Sequence, residues 1–81
     1  MLKGLNVKEK VFIKLSNCLH KLESHYQRRT AFLLNKEEDS NLFEYINLSI
    51  QNELLEIKCL SEILGLNLDP YVEFMKETYK A

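Results

Sequence analysis

The chain has very few of the residues that make turns. Its 81 residues include only two glycines and one proline. A β-sandwich or barrel needs a turn about every 8–12 residues, which this composition does not supply. Leu, Glu and Lys, which favour helices, are abundant instead. The sequence therefore predicts an all-α fold.

Cysteines and long apolar runs are also scarce. Two cysteines, Cys18 and Cys59, are too few for a disulfide framework, and we expect no disulfide between them. No apolar run approaches the ~18 residues of a membrane span. The opening stretch MLKGLNVKEK lacks the apolar centre of a signal peptide. We therefore expect a cytoplasmic protein that does not associate with membranes.

Motifs for metal binding and catalysis are missing too. His20 and His25 are five residues apart, which places them ~140° apart around a helix. Cys18 and His25 are seven apart, about 10 Å along a helix, too far for a nucleophilic pair. No Cys-x-x-Cys, His-x-x-x-His or glycine-rich phosphate loop occurs. We expect no catalytic residue, metal, cofactor or small-molecule substrate, and hence no enzyme.

The first predicted helix spans about residues 7–35. Asn6 and Glu9 have the spacing of a capping box, with Asn in the place of Ser or Thr. Apolar residues then recur three and four apart, as on one face of a helix. This stripe consists of Phe12, Leu15, Leu19, Leu22, Tyr26 and Leu33, and it is widened by Val11, Cys18 and Phe32.

The second predicted helix spans about residues 42–64. Asn41 followed by Glu44 again resembles a capping box. Gly65 is placed to end the helix in a left-handed conformation. The turn between the two helices, residues 35–41, is short and polar, so the helices should be antiparallel.

A third, short helix is predicted over about residues 70–80. Asp69 is a candidate N-cap and Pro70 suits the first helical position. Its apolar residues Val72, Met75 and Tyr79 share one side. We expect the three helices to form a single domain over residues 1–81.

The second helix is apolar on two sides. One side should face the first helix, and it consists of Phe43, Ile46, Ile50, Leu54, Ile57, Leu60 and Leu64. We call the opposite side the outer face; it consists of Tyr45, Leu48, Leu55, Cys59 and Ile63. A helix with two apolar sides needs two partners.

Ten residues of third helix cannot cover the ~35 Å length of the second helix. The outer face therefore predicts a protein partner or a homodimer that forms a helical bundle. In the alternative, the third helix folds over Leu55, Cys59 and Ile63, and leaves Leu48 as an ordinary exposed residue.

The net charge is only −1, but the charges are unevenly distributed. Residues 1–36 contain eight Lys or Arg and two Asp or Glu, whereas residues 37–81 contain three and ten. On the first helix, Lys10, Lys14, Lys21 and Arg28 form a basic stripe that could contact an anion such as nucleic-acid phosphate. The simpler interpretation is a solvated face, since the chain is not basic overall.

Two charged residues are predicted on the core sides of the hairpin, Arg29 and Glu53. In an antiparallel hairpin each residue of the first helix stands level with one residue of the second. This register places His25 within one helical turn of Glu53, and Arg29 about 9 Å further along the first helix. We hypothesise that Glu53 pairs with His25, or with Arg29 if the register shifts or across a dimer, and that the pair fixes register or oligomeric state. Alternatively, Arg29 and Glu53 extend to water at the edge.

Together these features predict a small non-enzymatic protein–protein interaction module, such as a regulator, adaptor, inhibitor or assembly factor. The alternative is a nucleic-acid-binding regulator that uses the basic stripe.

Overall fold

The computed structural model describes Gly4 and residues 6–80, and these contain helices and no strand, which confirms the all-α prediction. The helices are α1 (Val7–Leu34), α2 (Ser40–Leu64) and α3 (Asp69–Thr78). Within this described part, no helix has the length and apolar character that crossing a membrane requires. The interpretation of the opening stretch depends partly on residues 1–3 and 5, which lie outside the described residues.

Side-chain caps fix where α1 and α2 begin. Asn6 accepts a hydrogen bond from the Glu9 backbone N–H at 2.8 Å, which confirms Asn6 as the N-cap. The Glu9 carboxylate accepts from the Asn6 side-chain amide at 2.6 Å, rather than from the backbone N–H as in a capping box. The prediction of Asn41 as the cap of α2 is wrong. Asp39 accepts from the Leu42 N–H at 3.0 Å, and α2 begins at residue 40. An Asp cap is as good as Asn and adds a negative charge where the helix dipole favours one.

The start of α3 also differs from the prediction. Asp69 is the first residue of the helix rather than its N-cap, and Leu68 occupies the N-cap position without a side-chain hydrogen bond. The Asn67 side chain accepts from the Asp69 N–H at 3.1 Å. Asn67 thus forms the local turn that leads into the helix, a role that short polar side chains commonly have.

The end of α2 is a Schellman motif built on Gly65. Gly65 has a φ of 69° in the left-handed region, as expected for a glycine at this position. Its N–H donates to the Glu62 carbonyl at 3.1 Å, and the Leu66 N–H donates to the Ser61 carbonyl at 2.9 Å. The two bonds satisfy carbonyls that the end of the helix would otherwise leave free.

The end of α1 has the same bonding pattern without a glycine. The Lys36 N–H donates to the Leu33 carbonyl at 3.2 Å, and the Glu37 N–H donates to the Phe32 carbonyl at 3.1 Å. Lys36 has a φ of 53° and so carries a side chain in the left-handed region. That conformation costs a residue with a Cβ about 1–2 kcal/mol.

α1 and α2 pack antiparallel along the long axis of the molecule, which measures 49 Å. The Phe32 and Phe43 rings lie 5.1 Å apart near the turn, and Lys14 reaches Glu56 towards the other end. The predicted inner side of α2 is buried or half-buried at all seven positions. The core joins residues of all three helices, namely Leu15, Cys18, Leu22, Tyr26, Phe32, Ile46, Ile50, Ile57, Leu60 and Met75.

The apolar stripe of α1 is exposed at its two ends. Phe12 is 60% exposed and Leu33 is 43% exposed. Phe12 falls on the same side of α1 as Glu23 and Thr30, which Tyr79 contacts, whereas Leu33 lies near the C-terminal end of α1 in line with Tyr26. The hydrogen bonds of Tyr79 reach α1 only between Glu23 and Thr30, so α3 is too short to cover either residue.

Tyr79, directly after α3, joins that helix to α1. Its ring stacks on Tyr26 with centroids 6.4 Å apart, and its hydroxyl donates to the Glu23 carboxylate at 2.9 Å. The same hydroxyl accepts from Gln27 at 3.1 Å, and Thr30 donates to the Tyr79 carbonyl at 3.1 Å. A helix of ten residues needs such docking to persist.

The two cysteines have opposite environments, and both are free, as expected. Cys18 is buried between α1 and α2, whereas Cys59 is exposed. Burial raises the pKa of the Cys18 thiol above its ordinary value of 9.0, and the nearby Glu53 and Glu56 carboxylates raise that pKa further. Cys18 is thus kept as a neutral thiol within the core.

Glycine should be the more stable residue at the left-handed position of both Schellman motifs. Lys36→Gly should raise the free energy of unfolding by about 0.5–1 kcal/mol, because it removes left-handed strain. Gly65→Ala should lower it by about 1 kcal/mol through strain alone, since a Cβ there meets no other atom within 4 Å. Urea denaturation measures both, and Lys36→Ala controls for loss of the Lys side chain. Equal stabilities of the Lys36→Gly and Lys36→Ala variants would contradict the strain argument.

Cys18 should resist alkylation in the folded protein, because burial and a raised pKa both disfavour the reactive thiolate. Mass mapping of the Cys18 peptide after iodoacetamide treatment at neutral pH should show modification only when guanidinium chloride unfolds the chain. Equal labelling rates in native and denaturing buffer would contradict the burial of this thiol.

Candidate interaction surface

The outer face of α2 is open to solvent. Its four large side chains are between 56% and 64% exposed, and Cys59 is exposed as well. α3 lies on a different side of α2, where Leu68 and Val72 share a groove with Leu54, Ile57 and Ser61. The alternative in which α3 covers Leu55, Cys59 and Ile63 is therefore wrong.

Asn52 lies in the middle of the outer face, and the sequence prediction omitted it. Leu48, Asn52, Leu55 and Cys59 follow one another at intervals of four, three and four residues. This spacing is typical of the seam along which two helices pack in a coiled coil. Asn52 is polar and so is missing from a list of apolar residues, but it fits the spacing of four, three and four residues. Asn52, Leu55 and Cys59 also line one shallow depression.

The basic stripe of α1 borders the outer face on one side. Lys14 lies 3.2 Å from the Glu56 carboxylate of α2, and the Arg28 guanidinium lies 5.9 Å from the centre of the Tyr45 ring. Lys10 and Lys21 are exposed along the same helix. The structure thus places the basic stripe of α1 beside the outer face of α2, two surfaces that were predicted independently of each other. Two of the four cations in the stripe already contact groups of α2.

The other side of the outer face carries exposed polar residues of α2. At 100° per residue, Glu44, Gln51, Lys58 and Glu62 fall along this side, which we call the polar edge. It contains two carboxylates and one ammonium, whereas the opposite border is the basic stripe. The outer face is therefore an apolar strip whose two borders differ in charge.

The structure brings His25 and Glu53 together inside the hairpin. His25 Nε2 lies 3.6 Å from Glu53 Oε2, and both side chains are less than one-fifth exposed. This distance is long for a hydrogen bond, so the contact is electrostatic when the histidine is protonated. His25 Nδ1 is buried without a hydrogen-bond partner. Arg29 lies elsewhere, with its guanidinium 5.1 Å from the centre of the Tyr26 ring.

In the part of the chain that the structure describes, no group of three or more His, Cys, Asp or Glu side chains is placed to hold a metal ion. His20 is exposed on α1, away from the outer face. The outer face is an apolar strip with charged borders, a form on which another helix can dock.

Comparisons with known proteins add no family to this description. No protein-family model, no curated protein and no solved structure matches the chain.

The Glu53 carboxylate is expected to stabilise the hairpin through His25. Glu53→Leu should lower the free energy of unfolding by about 1–3 kcal/mol, because it removes the carboxylate that lies beside the largely buried His25 imidazole. Glu53→Gln keeps an acceptor oxygen and should lose less. Urea denaturation gives both values, and light scattering reports any change of oligomeric state. If Glu53→Leu alters neither stability nor oligomeric state, the pair has no role in fixing register.

Proposed function

We propose that the protein is a small non-enzymatic protein–protein interaction module that acts through helix–helix contacts. Regulators, adaptors, inhibitors and assembly factors work in this way. The observation that carries the proposal is the outer face of α2, whose four large side chains remain more than half exposed although α1 and α3 are in place. Contiguous exposed apolar patches on small proteins commonly mark interaction sites.

The outer face has further properties of a binding surface. It lies on a 25-residue helix that is held by α1, so little conformational entropy is lost when a partner binds. Tyr45 and Arg28 stand at its border, and Tyr and Arg are enriched among residues that dominate binding energy. On α3, Tyr71 and Phe74 offer additional exposed aromatic area.

Binding to nucleic acid is the competing function, and the contacts of the basic stripe weaken it. Lys14 is paired with Glu56, and ten of the twelve acidic residues lie in residues 37–81, which include the whole of α2. A duplex laid along the stripe would meet the Glu56 carboxylate beside Lys14. We therefore assign the stripe to the border of a protein interface, and we place the protein in the cytoplasm.

The proposal predicts that a charge on the outer face abolishes partner binding and spares the fold. A tagged full chain is expressed with an untagged copy in the native host, and captured proteins are quantified by mass spectrometry. Leu55→Lys should reduce the captured partner at least about tenfold, because it buries an unpaired ammonium in the interface. Leu34→Lys is the matched control, since Leu34 is 72% exposed on α1 and lies off the outer face.

Circular dichroism should show equal helix content in both variants. The proposal is wrong if capture is unchanged in Leu55→Lys. It is also wrong if the chain instead binds DNA or RNA with steep salt dependence, and charge reversal of Lys14, Lys21 and Arg28 abolishes that binding.

A further inference from the structure

We infer that the partner of the outer face is a second copy of this chain, packed with its α2 parallel to the first around a two-fold axis. This inference rests on the proposed interaction function and adds the partner and its orientation. In such a dimer the two α2 helices lie at the centre and the two α1 helices lie outside. Three features of the outer face carry the argument.

The first feature is the position of Asn52. In heptad notation Tyr45, Asn52 and Cys59 occupy the a positions, Leu48 and Leu55 occupy the d positions, and the apolar seam ends at Glu62, the next d position. In a parallel pair each a residue meets its own equivalent, so the two Asn52 amides face each other and can hydrogen-bond across the axis. A single Asn at an a position specifies register and oligomeric state at some cost in stability.

An antiparallel pair treats Asn52 differently. There a residues pack against d residues, and Asn52 would lie against a leucine of the other chain. A buried amide without a hydrogen-bond partner is costly. The position of Asn52 therefore favours the parallel arrangement.

The second feature is the charge on the two borders. In the parallel arrangement, the two-fold axis runs along the helices and places the polar edge of each copy beside the basic stripe of the other. Glu44 then faces the Arg28 side of the partner copy. In the antiparallel arrangement each basic stripe lies beside the other basic stripe, which repels.

The third feature is the composition of the whole strip. The outer face has Leu at both central d positions, and Glu53, the one charged residue between Tyr45 and Glu56, faces His25 inside the hairpin. Between Tyr45 and Cys59 the charges of α2 thus lie off the a and d positions, as they do where helices pair along a seam. The outer face of α2 can thus pack against the same face of a second copy, as an interface with two-fold symmetry requires.

Sedimentation and light scattering over a concentration series test self-association. The wild-type full chain and Leu34→Lys should show a dimer of twice the 9.6 kDa monomer mass. Leu55→Lys should raise the dimer dissociation constant at least about tenfold. Glu44→Lys and Arg28→Glu should each weaken the dimer, and the two changes combined should restore part of it.

Oxidative cross-linking tests the orientation. Parallel packing places the two Cys59 thiols opposite each other at the axis, so mild oxidation should form a Cys59–Cys59 disulfide between copies. The cross-link should be absent in Cys59→Ser and at least about tenfold slower in Leu55→Lys, which retains the thiol but not the interface. Antiparallel packing that places Asn52 against Leu55 or Leu48 of the other copy separates the two Cys59 positions by about 16 Å or more, beyond disulfide reach.

The outcomes separate this inference from the proposed function. A chain that stays monomeric at all concentrations, or a dimer that does not cross-link through Cys59, overturns the parallel homodimer. If a different protein is then captured in a Leu55-dependent manner, the interaction function stands with another partner. If nothing is captured in that manner, both fail.

Discussion

The packing of α1 on the inner side of α2 is the constraint on which the rest of the structure depends. Leu22 is fully buried and Tyr26 is 2% exposed at the centre of this interface. Once α1 occupies that side, helical geometry leaves the outer face of α2 about half a turn away, pointing to solvent. The same packing sets the heights at which His25 meets Glu53 and Lys14 meets Glu56. The candidate binding surface is thus a consequence of the hairpin.

α3 completes the core on one side of the hairpin only. It contributes Met75 to the core, and Tyr79 after it bonds to α1, but it leaves the outer face free. A chain of this size has a small stability margin, and self-association is a common way to increase it. An exposed apolar strip beside a docked third helix is consistent with an interface in which α2 takes a second partner. The charged borders of the strip would give such a partner an orientation.

Local chemistry made much of the fold predictable. Asn6 with Glu9 marked the start of α1, and Gly65 marked the end of α2, because each is a bond between neighbours in sequence. The errors arose where several residues compete for one role. Asp39 and Asn41 are both good caps, and only the structure shows that Asp39 accepts the bond. Lys36 in the left-handed region was not predictable from propensity, since lysine rarely adopts that conformation.

By itself, the sequence determined the number of helices, the inner side of α2 and the existence of a surplus apolar face, because periodicity records which residues share a side of a helix. Only the tertiary structure decided which side α3 covers, and that the basic stripe borders the outer face through Arg28 and Tyr45. It also decided that Glu53 meets His25 rather than Arg29. These contacts depend on the relative rotation and height of whole helices, which no local pattern in the sequence specifies.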